Sequence, residues 1–242
     1  GVISGPLSDS FLARLAFRVN DEDGYLENTF NGEDGPQLDE DALRLTLVWD
    51  ASEDLEVIVK MEQDGYKVRG RQNEIVQDTP SALGLTYSQA TQALGEPGFD
   101  DQLNYQRQSN VLDTSDNDLY NYTVTANYNL GEGTLTSITG WTGYEFDNYC
   151  DCDYVPANIF TISSFEEYDQ FSQEFRWVSP GGESVDWIAG VFYQSSELKT
   201  GSEFMFPVDS SAGLLLPNVA GYDNLRRNRQ ESDSWAIFSQ AT

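Results

Sequence analysis

The chain has 242 residues, a formal net charge of −28 and no histidine. Such an acidic chain repels nucleic acid and anionic lipid surfaces, which argues against both as partners. Without histidine it can form neither a Ser-His-Asp triad nor a Cys-His pair. No apolar run approaches the ~18 residues of a membrane helix, so helical membrane spans are excluded.

The first third of the chain predicts strands with one apolar and one polar face. Apolar side chains occupy every second position in 11–19, 43–49 and 55–61. A period of two residues is the periodicity of a β-strand. Residues 7–10 and 51–54 separate these segments and predict tight turns.

The middle of the chain contains the longest insertion and the clearest strand. Residues 68–117 show no sustained alternation and predict a long loop with a short helix around Ser88 to Leu94. From Tyr120 to Leu130, apolar residues then alternate with Asn and Thr. Residues 134–147 fit the pattern in either register, so the faces of that strand stay unassigned.

The last third predicts a hairpin and a final strand. Apolar residues dominate alternate positions in 171–178, 187–193 and 235–241. In the first of these segments, Glu174 and Arg176 share the opposite face. Two charges on an inward face are unusual for the dry interior of a β-sandwich. They suit a barrel with an apolar exterior and a wet interior.

The predicted connections alternate strictly between short and long. The short turns lie at 7–10, 51–54, 131–133 and 179–184, and the long loops lie at about 23–40, 68–117, 148–166 and 199–230. In an antiparallel meander this order places every long loop on one side of the sheet. Outer-membrane barrels have this asymmetry, with short periplasmic turns and long extracellular loops.

Several stretches resemble the barrel of TonB-dependent outer-membrane receptors. They are GVISGPLSDSFLARLAFRVNDEDGY, LRLTLVWDASEDLEVIVKME, LTSITGW and EEYDQFSQEFRWVSPGGESVDWIAGVFY. The resemblance covers nearly the whole chain except the long loops. It implies an all-β, antiparallel transmembrane barrel of 22 strands around a plug domain. Since we count about nine strands, and bacterial barrels have an even number, we expect residues 1–242 to be one segment of that barrel, without the plug.

The resemblance also implies a function and a location. We expect an outer-membrane active transport receptor for a scarce nutrient, most commonly a ferric siderophore or similar chelate. The TonB complex would act through the plug, outer-membrane lipid and lipopolysaccharide would surround the wall, and no covalent chemistry or cofactor is expected. The alternatives are a passive porin and a secreted, acidic, β-rich binding protein or enzyme.

Basic residues are scarce, and most of them fall in two predicted loops, 68–117 and 199–230. Guanidinium groups there would suit an anionic ligand such as a ferric chelate, and loop aromatic residues would add apolar contact. The candidate substrate-binding residues are Arg226, Arg227, Arg229, Phe204, Phe206, Tyr222, Arg69, Arg71 and Arg107. The alternative for each arginine is an ion pair with a neighbouring carboxylate. Other loop aromatic residues, including Phe99 and Tyr154, would line the same vestibule.

Cys150 and Cys152 flank a single aspartate in the predicted loop 148–166. The sequence leaves open whether they are oxidised, although a disulfide is compatible with an extracytoplasmic location. A protein zinc site would need both thiols and additional carboxylates, because there is no histidine. The acidic loops carry oxygen ligands of the kind that bind Ca²⁺, with solvated loop charge as the alternative. We predict no metal site.

Overall fold

The computed structural model describes residues 1–82, 84–96, 98–99, 101–131, 133–182, 185–214, 216 and 218–242. The strands are β1 (Val2–Ser8), β2 (Phe11–Glu22), β3 (Leu26–Asn28), β4 (Glu33–Gly35), β5 (Gln37–Asp50), β6 (Leu55–Arg69), β7 (Gln106–Arg107), β8 (Thr114–Asn129), β9 (Thr134–Cys150), β10 (Thr161–Val178), β11 (Trp187–Met205) and β12 (Asp223–Ala241). A helix, α1 (Tyr87–Ala93), and a 3-10 turn at Ser211–Leu214 complete the described elements.

Nine of these strands form one antiparallel sheet in the order β1-β2-β5-β6-β8-β9-β10-β11-β12. Each long strand pairs with the next long strand along the chain, so the sheet is a meander. Short and long connections alternate along it, and all long connections therefore lie at the same end of the strands. This confirms the predicted fold class and loop asymmetry. Glu132, Glu183 and Ser184, in two of the predicted turns, lie outside the described residues.

The strands continue further toward the long loops than the sequence predicts. The long connections are 23–36, 70–113 (the insert loop), 151–160 (the cysteine loop) and 206–222, each shorter than predicted. Most of the extra strand residues are charged or polar, and they lie on both faces. A backbone ladder needs no apolar side chain where both faces meet water, which explains why the apolar alternation stops before the hydrogen bonding does.

The sheet has two chemically distinct faces. One, the aromatic face, contains Tyr122, Val124 and Ala126 of β8 and the residues that pair with them across the sheet. The other, the polar face, contains the intervening residues such as Thr125. Directly paired residues of neighbouring strands share a face, and Tyr122 pairs with Trp141 of β9. Pairing thus assigns β9, whose faces the sequence leaves open.

Little of the apolar side-chain surface is buried in the sheet. Among the described residues, the buried apolar side chains are Leu26, Cys150, Val155, Ala157 and Ala212, and they belong to the loops or their junctions. On the aromatic face, Trp177 and Phe175 keep 43% and 46% of their surfaces exposed. The described sheet therefore does not bury its apolar side chains as the two packed sheets of a soluble sandwich do.

The helix predicted around Ser88 is present as α1. Thr86 caps it: its hydroxyl accepts a hydrogen bond from the Gln89 amide, and the Gln89 side chain accepts one from the Thr86 amide. This reciprocal pair is a capping box, which satisfies backbone donors at the helix start. Within the described ranges, no helix has the length and apolar composition needed to cross a bilayer.

Candidate functional site

The long loops at one end of the strands are joined into a single layer, which we call the loop cap. It comprises the 23–36 connection, the insert loop and the cysteine loop. Strand β3 pairs with β4 and, in parallel, with β7 of the insert loop. The Asn28 side chain donates to the Ser109 carbonyl at 2.9 Å and accepts from the Ser109 amide at 3.1 Å. These contacts connect segments that are about eighty residues apart in the sequence.

Asp113 is the charged centre of the loop cap. Its carboxylate accepts from Arg71 Nε at 3.0 Å and Arg107 Nη2 at 2.5 Å. It also accepts from the Asp151 backbone amide at 2.8 Å. Asp113 is 2% exposed and the Arg107 side chain 8% exposed. Removing one partner of such a buried pair is costly, so Asp113 holds the insert loop on the cysteine loop.

Two further acidic residues, Asp151 and Asp153, lie close to Asp113, to which the Asp151 backbone amide donates. Asp151 and Asp153 are almost fully buried, and Asp151 Oδ1 has no hydrogen-bond partner. Burial, together with the nearby Asp153 charge, raises the pKa of Asp151 to about 7, while a hydrogen bond from Ser109 opposes the rise. Burial also raises the pKa of Asp153, against three backbone amides that donate to its carboxylate.

Cys150 and Cys152 form a disulfide that encloses Asp151. Cys150 is fully buried, and the bridge settles the redox state that the sequence leaves open. The Tyr87 hydroxyl of α1 donates to the Asp153 carbonyl at 2.5 Å. The cysteine loop is thus held covalently within itself and by hydrogen bonds to the insert loop. Within the described ranges, no group of three or more acidic or cysteine side chains is arranged to hold a metal ion.

The predicted arginine cluster Arg226, Arg227 and Arg229 is not in a loop, which corrects the sequence prediction. All three lie in β12, paired with β11 from Ser202 to Lys199. Because side chains alternate along a strand, Arg227 and Arg229 lie on the aromatic face and Arg226 on the polar face. Strand β12 continues through these residues because β11 supplies backbone hydrogen-bond partners along its whole length. This pairing does not depend on the nature of the side chains.

Arg229 is paired with carboxylates on the aromatic face. It contacts Glu197 at 2.6 Å and Glu231 at 2.8 Å, and Lys199 joins the same group through Glu197 at 3.3 Å. Arg226 Nε donates to Asn224 Oδ1 at 3.3 Å. For Arg229, the structure thus shows the ion pairs that were the alternative to substrate binding. A role of these residues in substrate capture stays a prediction.

The other predicted arginines are also paired with carboxylates. Arg69 contacts Asp116 at 2.7 Å on the aromatic face, at the end of β6. Arg71 and Arg107 both contact Asp113, as described above. The structure therefore brings Arg71 and Arg107 together on Asp113, whereas Arg69 pairs with a different carboxylate.

The predicted aromatic residues are divided between two places. Phe204, at the end of β11, and Phe206 pack with Phe160 of the cysteine loop, with ring centroids 4.8 and 5.9 Å from Phe160. Tyr222 is exposed, and its hydroxyl accepts a hydrogen bond from Asn224. The cluster fixes the 206–222 connection against the cysteine loop, whereas Tyr222 lies outside it.

A cavity of about 670 Å³ opens within the loop cap. Its described lining includes the amide side chains of Gln72, Asn73 and Gln108 and the rings of Phe99 and Tyr154. Both aromatic residues were predicted from the sequence to line a vestibule, whereas none of the amides was. No spacing signal marks these amides, because an irregular loop brings them together.

Comparison with known proteins identifies the architecture. No protein-family model and no curated protein sequence matches the chain. The structure is similar to the ferric yersiniabactin uptake receptor FyuA from Yersinia pestis, with a TM-score of 0.65 and 12% identity over 99% of this chain. The chain has the fold of a TonB-dependent receptor barrel. The nine-stranded sheet corresponds to part of that barrel wall.

Two further structures show the same likeness. They are the unliganded ferric citrate transporter FecA (TM-score 0.61, 11% identity, 100% of this chain) and the siderophore receptor PiuA from Acinetobacter baumannii (0.62, 8%, 99%). The chain spans 40% of the FyuA chain, 32% of FecA and 37% of PiuA. At these identities the similarity concerns the barrel fold alone.

Proposed function

We propose that this barrel segment belongs to an outer-membrane receptor that takes up a scarce nutrient with energy delivered by the TonB complex. The observation that carries the proposal is the exposed aromatic face of the sheet. An apolar surface extending over nine strands is much larger than the patches that soluble monomers expose. Lipid is the environment in which such a surface is stable, and the polar face then lines a wet interior.

The positions of the aromatic residues support a lipid-facing wall. Trp49, Tyr128, Trp177 and Trp187 all lie within two residues of the strand ends at the short turns. Tyr120 lies eight positions before Tyr128 in β8, a separation of about 26 Å along a strand. With the usual tilt this becomes roughly 20 Å across the membrane, close to the ~25 Å apolar band between the aromatic girdles of such barrels.

The structural neighbours support a receptor that imports a small molecule. FyuA is described as a ferric yersiniabactin uptake receptor, FecA as a ferric citrate transporter and PiuA as a siderophore receptor. A ferric siderophore or similar chelate is accordingly the first substrate class to test. In this proposal the chain supplies barrel wall and extracellular loops, contacts lipid and lipopolysaccharide, and carries out no covalent chemistry.

The experiment measures uptake by cells that produce the full-length receptor. Radiolabelled ferric chelates and neutral saccharides are supplied to cells with and without TonB, and receptor abundance in the outer membrane is measured in both. We expect receptor-dependent uptake that disappears without TonB at unchanged abundance. Uptake that persists without TonB would show a passive porin, and a receptor recovered only in the soluble fraction would exclude a membrane role.

A further inference from the structure

The cavity in the loop cap has the size of a ligand site. At about 670 Å³ it falls within the ~300–1,000 Å³ of small-molecule pockets. It lies between the insert loop and the cysteine loop, with Thr29 of the 23–36 connection on one side. Three chain segments thus meet around it, all at the end of the sheet that carries the long loops.

Both charged side chains of the described lining already have partners. Arg107 donates to Asp113 and to the Arg71 carbonyl at 3.0 Å. Glu74 Oε1 accepts from the Asn104 and Tyr105 amides at 2.9 and 2.8 Å. An anionic ligand would have to compete with Asp113 for Arg107, in a chain whose net charge of −28 already repels anions.

The lining offers uncharged hydrogen-bonding groups instead. Gln108 Oε1 is buried with no hydrogen-bond partner, and Gln72 and Asn73 lie beside it in the lining. Amide side chains carry both donors and acceptors, which matches hydroxyl and carbonyl groups equally well. A buried acceptor without a donor is destabilising, and rotation of the Gln108 side chain toward the cavity would let a ligand O–H or N–H satisfy it.

Two aromatic rings complete the lining. Tyr154 has a φ of 61°, a left-handed conformation that is unfavourable for a residue with a side chain. Phe99 packs against Tyr87, with ring centroids 5.4 Å apart, and the Tyr87 hydroxyl is hydrogen-bonded to the cysteine loop. Strained residues are concentrated at ligand sites, and rigid rings supply flat apolar surface next to the amides.

We propose that this cavity binds an uncharged ligand rich in hydroxyl and carbonyl groups, and that it does not bind an anionic chelate. This rests on the proposed receptor function and adds the substrate class. Two sources have this chemistry: a neutral saccharide, and an iron chelate in which three hydroxamates neutralise the charge of Fe³⁺. Both present polar groups to amides and apolar edges to aromatic rings.

The test is calorimetric titration of the purified full-length receptor with three probes. Maltotriose represents neutral saccharides, ferrichrome represents neutral hydroxamate chelates, and ferric citrate represents anionic chelates. We expect one neutral probe to bind, with a Kd that changes less than about twofold between 50 and 300 mM salt, because binding without net charge is little affected by screening. Maltotriose binding would identify a saccharide site, and ferrichrome binding a chelate site.

Substitutions locate the binding in the cavity. We expect Tyr154→Ala and Gln108→Leu each to weaken binding by about tenfold or more. The matched controls are Tyr25→Ala and Gln102→Leu, which make the same changes at positions outside the lining, and binding should stay within about twofold of that of the unmodified receptor. Binding of ferric citrate alone, failure of both neutral probes, or equal effects in cavity and control variants would each overturn the assignment.

The two proposals fail in different ways. TonB-dependent uptake of ferric citrate that is unaffected by Tyr154→Ala would overturn the neutral site and leave active transport in place. Neutral-probe binding that is lost in Tyr154→Ala, combined with uptake that persists without TonB, would support the site and overturn active transport.

Discussion

Replacing Asp113 with Asn should open the loop cap without unfolding the barrel wall. The substitution keeps the shape of the side chain but removes the charge shared by Arg71 and Arg107. Breaking a buried ion pair costs about 3–5 kcal/mol. The Arg71 side chain is 26% exposed and can be solvated, whereas Arg107 is 8% exposed. We therefore expect the lower end, about 3 kcal/mol.

At 1.4 kcal/mol per factor of ten, this loss raises the open population of the insert loop roughly 100-fold. Hydrogen exchange of the full-length receptor measures it, with protection compared between insert-loop peptides and peptides of β8. Insert-loop protection should fall in Asp113→Asn, while β8 should be unchanged because its backbone ladder does not include Asp113.

The matched control is Asp116→Asn, which removes the partner of Arg69. Those two side chains are 39% and 31% exposed, and an exposed pair contributes less than about 1 kcal/mol. The open population of the insert loop should therefore rise by less than about fivefold in Asp116→Asn. Equal protection in Asp113→Asn and the unmodified receptor, or equal losses in both variants, would refute the view that Asp113 holds the loop cap.

Three further outcomes follow from the structure. Val124→Arg should destabilise the barrel by ~2–4 kcal/mol in reversible folding into bilayers, while Thr125→Arg should cost much less; equal costs would contradict the assigned faces. Because the pKa of Asp151 is raised to about 7, the protonated form stabilises the cysteine loop fully below about pH 4, and this stabilisation is lost as pH rises through about 7. Cysteine-loop protection, corrected for intrinsic exchange, should therefore fall over that range. Asp151→Asn should reduce the dependence and leave the part that comes from the raised pKa of Asp153. A single cysteine at exposed Asn31 should react with an impermeant reagent on whole cells, whereas one at Ser52 should not; the reverse pattern would invert the orientation.

Most of the long strands could be predicted from the sequence because apolar and polar residues alternate visibly along them. The alternation from Tyr120 to Leu130 alone indicates both faces of β8. For β9 the sequence is ambiguous, since apolar side chains such as Trp141 and Ile138 occur in both registers. Only pairing with Tyr122 places Trp141 on the aromatic face. Strand ends were predicted too early, because the apolar alternation stops before the backbone hydrogen bonding does.

The loop cap was the least predictable part. The sequence shows that arginines are concentrated in two regions, but it does not show which carboxylate each one contacts. Asp113 lies 42 residues from Arg71 and receives its hydrogen bond through a fold that no local pattern encodes. The amide of Gln108 is equally inconspicuous. Disulfide formation between Cys150 and Cys152 was foreseen as one of two outcomes.

The lengths of the strands give the wall a sloping rim. Strand β2 ends at Glu22, which the strand pairings place level with Ser202 of β11, and β11 continues three residues further to Met205, about 10 Å of chain at the strand rise. The high side presents a rigid, hydrogen-bonded ribbon to the surroundings, and the low side presents only its connecting loop. Antibodies raised against intact cells should therefore recognise a folded, conformational epitope on the high side, whereas linear peptides from that side should compete poorly.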